Sequence, residues 1–289
     1  MNYRHGFHAG NFADVFKHAV LARILVYLGE KPQPYRVLDT HAGTGLYDLE
    51  GSQAARTGEW REGIGRLMRA LERGEIGEHI RALLAPYFAA LAAQNDGSAA
   101  AGGLRFYPGS PRIALALMRP QDRLTACELE PHAFAALSAR LRGDRRAKPM
   151  ELDGWLAINA QLPPPERRGL VVVDPPFEAA DEFDRLLNGL DLAMRKWASG
   201  SYLLWYPVKG PAASAFIRRL RRVAPPKTLR VELHVRPAEA GRFTGSGLIL
   251  VNPPWRLAGE LEILLPALAA VLADGRTGRS LVEPLGHKI

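Results

Sequence analysis

Gly169-Leu170-Val171-Val172-Val173-Asp174-Pro175-Pro176-Phe177 is the stretch that decides the fold. An unbroken apolar run, mostly β-branched, reads as a strand buried on both faces, as in a parallel sheet covered by helices. Two prolines stop it, because proline fixes its own φ and brings no N–H to the ladder. An acid and an aromatic ring are thereby set at a strand's carboxyl end, where open α/β sheets hold their ligands.

The pattern continues outward. Tyr35–Leu38, Leu104–Tyr107, Leu124–Glu128, Met150–Leu152 and Ser201–Tyr206 read as further strands, alternating with helical stretches such as 182–196 and 212–222. Asn11 to Leu28 reads as a helix capped by Asn11, with Asp14 as its box partner and Gly29 at its end. Ser110 is the expected cap of a helix with Pro111 in its first turn. Thr228–Val235 and Gly247–Val251 read as a closing antiparallel pair. The expected fold is α/β, a doubly wound, mostly parallel seven-stranded sheet. Residues 51–103 differ, being rich in Ala, Leu, Arg and Glu at helical spacing, and 95–103 is a glycine-containing connection. They are expected to form a small helical subdomain inserted into a core of 1–50 and 104–289.

Hydrophobic residues make up 47% of the 289, so a substantial core is available. No run approaches the ~20 apolar residues of a membrane span. The opening residues have no apolar signal core, so a cytoplasmic protein is expected. Cys127 is the single cysteine, which excludes an intrachain disulfide and fits a reducing compartment. No Cys/His spacing suits zinc, so no metal is expected. A net charge of +8 favours a polyanionic partner. Arg140–Lys148, Arg167–Arg168 and Arg218–Arg222 are the basic clusters, and each could equally be a solvated face. Nothing implies an oligomer, and a monomer is expected.

Asp39-Thr40-His41-Ala42-Gly43-Thr44-Gly45 follows the first strand, and its glycines let backbone approach a nucleotide-like ligand. Glu128 ends a later strand, where an acid can accept both hydroxyls of a ribose. It lies far beyond the ~20 residues that normally separate glycines and acid, which supports an insertion between them. Asp153-Gly154 is placed to meet an adenine edge. Asp174-Pro175-Pro176-Phe177 supplies a carboxylate acceptor, a free backbone carbonyl and a ring for stacking on a base. Glycine loop, acid, Asp-Gly and Asp-Pro-Pro-Phe follow the order of class I S-adenosylmethionine-dependent methyltransferases. The absence of a full GxGxxG and of a P-loop counts against NAD and ATP. Asn252-Pro253-Pro254-Trp255 also fits an Asn/Asp-Pro-Pro-aromatic pattern, but falls outside that order and reads as a turn.

Taken whole, the chain resembles the bacterial 23S ribosomal RNA adenine(2030)-N6-methyltransferase family. The most specific segment is Tyr3-Arg4-His5-Gly6-Phe7-His8-Ala9-Gly10-Asn11-Phe12-Ala13-Asp14-Val15-Phe16-Lys17-His18; Leu38–Gly43, Tyr107–Pro111, Trp205-Tyr206-Pro207 and Asn252–Trp255 also match. One departure is Phe177, where the family pattern carries Tyr. The resemblance implies S-adenosyl-L-methionine as cofactor, S-adenosyl-L-homocysteine as product and 23S ribosomal RNA as partner. It implies a cofactor pocket of Lys17, His18, His41, Gly43, Ser110, Glu128, Asp153, Gly154 and Asp174. It also implies Tyr3 and His5 over the RNA base, with Asp174, Pro175 and Phe177 as the catalytic group. Read from residues alone, Tyr3 and His5 are equally a frayed terminus.

The chief alternative is an adenine-N6 DNA methyltransferase, although no separate target-recognition domain follows the core. A nucleic-acid-binding module with a vestigial pocket, and enzymes modifying guanine N2 or a protein glutamine, are further readings.

Overall fold

The computed structural model describes residues 4–95, 103–237, 243–275 and 278–286. A single 3-10 turn, His5–Phe7, leads into α1 (Phe12–Glu30) and then β1 (Arg36–Asp39) and β2 (Leu46–Asp48). Four helices follow: α2 (Ser52–Thr57), α3 (Glu59–Glu62), α4 (Ile64–Glu72) and α5 (Glu78–Ala92). Alternation resumes with β3 (Phe106–Pro108), α6 (Ser110–Leu117), β4 (Arg123–Glu128), α7 (Pro131–Leu141), β5 (Ala147–Glu151), α8 (Gly154–Gln161) and β6 (Gly169–Val173). It continues through α9 (Glu182–Lys196), β7 (Ser201–Val208), α10 (Gly210–Val223), β8 (Thr228–His234), β9 (Gly245–Val251), α11 (Leu257–Leu272) and β10 (Arg279–Pro284).

The central sheet runs β10-β8-β9-β7-β6-β1-β4-β5. Five neighbouring strands, β7 to β5 in that order, are parallel; β9 is antiparallel to β7 and β8, and β10 to β8. Strand alternation divides the apolar residues between two layers. Leu170 and Val172 face the layer of α1, α5, α6 and α11, while Val171 and Val173 face that of α8, α9 and α10. This is why the run carries no polar residue: both faces are core.

The doubly wound expectation holds, with an eighth strand rather than seven. Arg279–Pro284 is polar and only half-buried, so its own pattern says little; its ladder to β8 and the Glu283–Arg230 ion pair (3.2 Å) make it a strand. Phe106–Pro108 does not join the main sheet but pairs with β2 in a separate hairpin-like ribbon. Gly109, not Ser110, occupies the α6 cap. The connection expected at 95–103 lies largely outside the described residues.

The chain steps outward from β1 through β4 to β5, then returns to β6 on the other flank of β1. The carboxyl ends of β6, β1 and β4 therefore lie side by side at the switch point. They present Asp174, Asp39 and Glu128.

Candidate active site

These carboxyl ends open into a cleft of about 1000 Å³ whose lining includes Lys17, His18, His41, Gly43, Ser110, Glu128, Asp174, Pro175 and Phe177. The N-terminal strip crosses it, and Arg4 and His5 also face it. Tyr3 lies outside the described residues. Among the described residues no three His, Cys, Asp or Glu side chains are grouped as a metal site, and no helix is long and apolar enough to cross a membrane.

Asp174 follows the last residue of β6 and forms a salt bridge with the buried ammonium of Lys17, which also meets Asp14 Oδ1 at 2.9 Å. Asp14, Lys17 and His18 share one face of α1 at i, i+3 and i+4 spacing. Asp14 Oδ2 accepts from Gly10 N–H (2.9 Å) and lies 2.9 Å from His5 Nε2. The expected box at Asn11 is thus shifted by one residue. Asn11 itself caps α1, its Oδ1 accepting from the N–H groups of Ala13 and Asp14. Burial works to lower the Lys17 pKa, but the carboxylates of Asp14 and Asp174 outweigh it and hold the ammonium above the ordinary lysine range. Burial likewise works against ionised Asp14, yet His5 and Lys17 hold it well below the usual carboxylate range.

His18 is fully buried, which pushes its pKa down to about 3. Its Nδ1 meets the Tyr107 hydroxyl at 2.8 Å, and that hydroxyl meets Tyr87 of α5 at 3.0 Å. A polar chain thus ties α1 to the helices between β2 and β3.

Asp39 ends β1 with its Oδ2 buried and without a partner. Burial first, then the Asp174 charge, raise its carboxyl to about 7, while the nearby Ser110 hydroxyl and the His41 N–H, which donates to Oδ1 (3.4 Å), work the other way. Glu128 accepts N–H bonds from Gly43, Leu129 and Glu130, each 2.9 Å, leaving one of its carboxylate lone-pair positions for a ligand. Burial still raises its pKa.

His41 meets Thr40 Oγ1 at 2.8 Å and turns its ring edge toward Trp155 at 5.4 Å. Burial pushes its pKa down to about 4. Asp153 and Gly154 stand behind His41 rather than on the cleft wall. Asp153 Oδ1 caps α8 through the N–H groups of Trp155 and Leu156. Gly154 is held so close that a Cβ would meet Thr40 O at 2.4 Å and the His41 ring at 2.7 Å. Gly154→Val is therefore expected to unseat His41 and weaken cofactor binding at least about tenfold, read by calorimetry, because that contact cannot be relieved without moving backbone.

Phe177 is in the left-handed region (φ +52°), a strained conformation for a bulky residue. It is braced by Phe183 (4.9 Å) and by Trp205 of β7 (5.5 Å), which itself lines the cleft with Phe243. Asn252-Pro253-Pro254-Trp255 is a turn at the opposite end of the sheet, with Asn252 Nδ2 donating to Ala198 O and Gly200 O. The Arg218–Arg222 cluster ends α10, about 14 to 20 Å along the helix from the cleft-lining Lys209. Two of its members are paired: Arg219 with Asp184 and Arg221 with Glu283.

Asp14 and Trp205 line the cleft, and Asp39 lies buried at the end of β1; the sequence reading gave none of the three a part in the site. Asp39 carried a signal, an acid closing a strand before a glycine loop. Asp14 carried its helical spacing to Lys17. Trp205 stood in the Trp-Tyr-Pro segment without an assignment.

Known proteins resemble this chain over nearly its whole length. A family model described as ribosomal RNA large subunit methyltransferase D, RlmJ, matches residues 32–284. Ribosomal RNA large subunit methyltransferase J of Escherichia coli K12 is 39% identical over 285 residues, covering 98% of each chain. That of Haemophilus influenzae is 38% identical over the same length and coverage. A crystal structure of a Legionella pneumophila protein superposes with a TM-score of 0.86 at 34% identity, covering 96% of this chain and 98% of that one. The chain therefore belongs to the RlmJ family of ribosomal RNA large subunit methyltransferases.

Proposed function

We propose that this protein methylates N6 of one adenine in 23S ribosomal RNA, position 2030 by family resemblance, using S-adenosyl-L-methionine. The observation that carries the reading is Asp174-Pro175-Pro176-Phe177 opening into a cleft shared with the glycine loop and Glu128, with the buried Asp39 carboxylate ending the neighbouring strand β1. The residues fit the cofactor. The unpartnered Asp39 Oδ2 suits an ammonium group and Glu128 a ribose hydroxyl, while Asp153 and Gly154, behind His41, act on the pocket by seating that ring. When bound, the cofactor would supply an electrophilic methyl on a sulfonium, whose C–S bond breaks as the methyl passes to N6 and leaves S-adenosyl-L-homocysteine.

The chain's own residues act on the acceptor base. N6 is a poor nucleophile because its lone pair is delocalised into the ring. Asp174 and the Pro175 carbonyl each accept an N6 hydrogen bond, which turns the lone pair out of the ring plane toward the methyl. Asp174, or a water it holds, takes the proton as the new bond forms. Lys17 fixes the Asp174 carboxylate, and Phe177 with Trp205 offers rings against which an extruded base can lie. A loop or bulge nucleotide is the favoured target, since a paired base must first be unstacked. We further propose that residues 51–103 are an insertion in the methyltransferase core, that the protein acts in the cytoplasm and that it works as a monomer.

Asp39 predicts a pH dependence. Its pKa near 7 lies above the unfolded value, so the folded state binds this proton more tightly and the group costs stability as pH rises from about 4 to 7. A cationic ligand favours the ionised form, so binding expels the proton. Cofactor affinity is expected to rise between pH 6 and 7.5 by up to about tenfold per pH unit, with proton release in calorimetry. Asp39→Asn should flatten that slope; an unchanged slope would remove Asp39 from the ammonium site.

The substrate is tested by deleting the gene and mapping N6-methyladenosine in 23S RNA by mass spectrometry. Loss of one methyladenosine, restored by the wild-type gene, is expected; an unchanged map would overturn the assignment.

A further inference from the structure

We infer that residues 52–64 form the seat of the N-terminal strip, and that Glu59 is a positioning residue that holds the strip and, through Asn11, Asp14 and Lys17, the acceptor carboxylate of Asp174. The positioning role rests on the reading of Asp174 given above.

The strip of residues 5–11 crosses the cleft without regular ladder bonds, so its placement must come from its neighbours. Asp14 of α1 and Tyr47 of β2 hold His5, and α2, α3 and the start of α4 hold residues 7–11. Glu59 Oε2 accepts from Asn11 Nδ2 at 3.0 Å, and both Glu59 oxygens lie 3.0 Å from His8 Nδ1. Thr57 Oγ1 donates to Phe7 O, the Arg56 guanidinium lies 5.8 Å over the Phe7 ring, and Ile64 N–H donates to Gly10 O at 2.8 Å. Gly63 rests directly on the strip: a Cβ there would meet Gly10 O at 2.1 Å and Asn11 C at 2.4 Å.

The contact is continuous with the chemistry. Glu59 accepts one amide hydrogen of Asn11, which leaves Asn11 Oδ1 facing the N–H groups of Ala13 and Asp14. Asp14 in turn holds His5 and Lys17, and Lys17 holds Asp174. Without Glu59 the strip keeps its backbone bonds and loses its polar anchor, so the expected loss is of precision rather than of fold. Glu59 is 38% exposed in its side chain, consistent with that separation.

The test compares wild type, Glu59→Ala and Glu59→Gln by hydrogen exchange over residues 4–11, cofactor affinity and single-turnover methyl transfer to 23S RNA. In Glu59→Ala, exchange over the strip should rise about tenfold and transfer fall about 10- to 100-fold, with cofactor Kd within about threefold. Glu59→Gln keeps an acceptor for Asn11 and should restore both. Thr57→Val severs a separate bond and should loosen the strip in the same direction, whether or not Glu59→Ala folds. Unchanged exchange in Glu59→Ala and Thr57→Val would overturn the seat; raised exchange with wild-type transfer would overturn the positioning role. A wild type that methylates no RNA, with a strip still loosened in Glu59→Ala, would instead sink the acceptor reading and leave the seat standing.

Discussion

Asp174→Ala is expected to lower methyl transfer by about 10³-fold or more while cofactor affinity stays within about tenfold. The size follows from two roles lost together: the hydrogen bond that orients N6 and the acceptor for its proton. Cofactor binding is expected to survive because the proposed cofactor residues Asp39, Gly43 and Glu128 lie at the ends of β1 and β4 and in the loop after β1, not on the β6 turn. Asp174→Asn keeps the shape and the hydrogen-bond acceptor but not the basicity, so it separates orientation from proton removal. Turnover near wild type in Asp174→Ala, measured in single-turnover reactions, would refute the acceptor role.

The second large effect is expected at Lys17. Its side chain is 4% exposed as a residue and bridges Asp14 and Asp174. Lys17→Met fills similar volume but leaves Asp174 without its cation and Asp14 with His5 alone. Removing one partner from a buried ionic cluster costs about 3–5 kcal/mol, because the remaining charge stays desolvated. The melting temperature should fall by roughly 10 °C for a chain of this size. Transfer should fall at least about 100-fold even at temperatures where the variant is folded, since Asp174 loses its fixed orientation. An unshifted melting curve would mean that the Asp14–Lys17–Asp174 cluster contributes nothing to the fold.

The sheet's parallel half was legible in the sequence because each strand carries its own signal. Leu170–Val173 is apolar on both faces, and Asp39, Glu128 and Asp174 mark carboxyl ends. The edge was less legible. Arg279–Pro284 is a strand because β8 offers it a ladder, a property of the partner rather than of its residues. Strand β5 begins at Ala147, three residues before its sequence boundary, where charged and proline residues hide an edge strand. Helix α11 was not read at all, although it supplies Leu261, Leu264, Leu265 and Leu268 to one core.

In the site, residues tied to a local pattern could be found, and residues tied by long-range contact could not. Asp14, Lys17 and His18 sit on one helical face, yet nothing local says that Lys17 meets a carboxylate on β6's turn. Glu59 is one of several acids on short helices until the strip is laid beside it. Asp39 was visible as an acid, but its missing partner is visible only when burial is known.

The central claim is tested most directly by incubating the purified protein with methyl-labelled S-adenosylmethionine and protein-free, unmodified 23S RNA, beside a duplex DNA control, then digesting to nucleosides. The account predicts label in N6-methyladenosine from the RNA alone. Label in DNA, or in any nucleoside other than N6-methyladenosine, would contradict it.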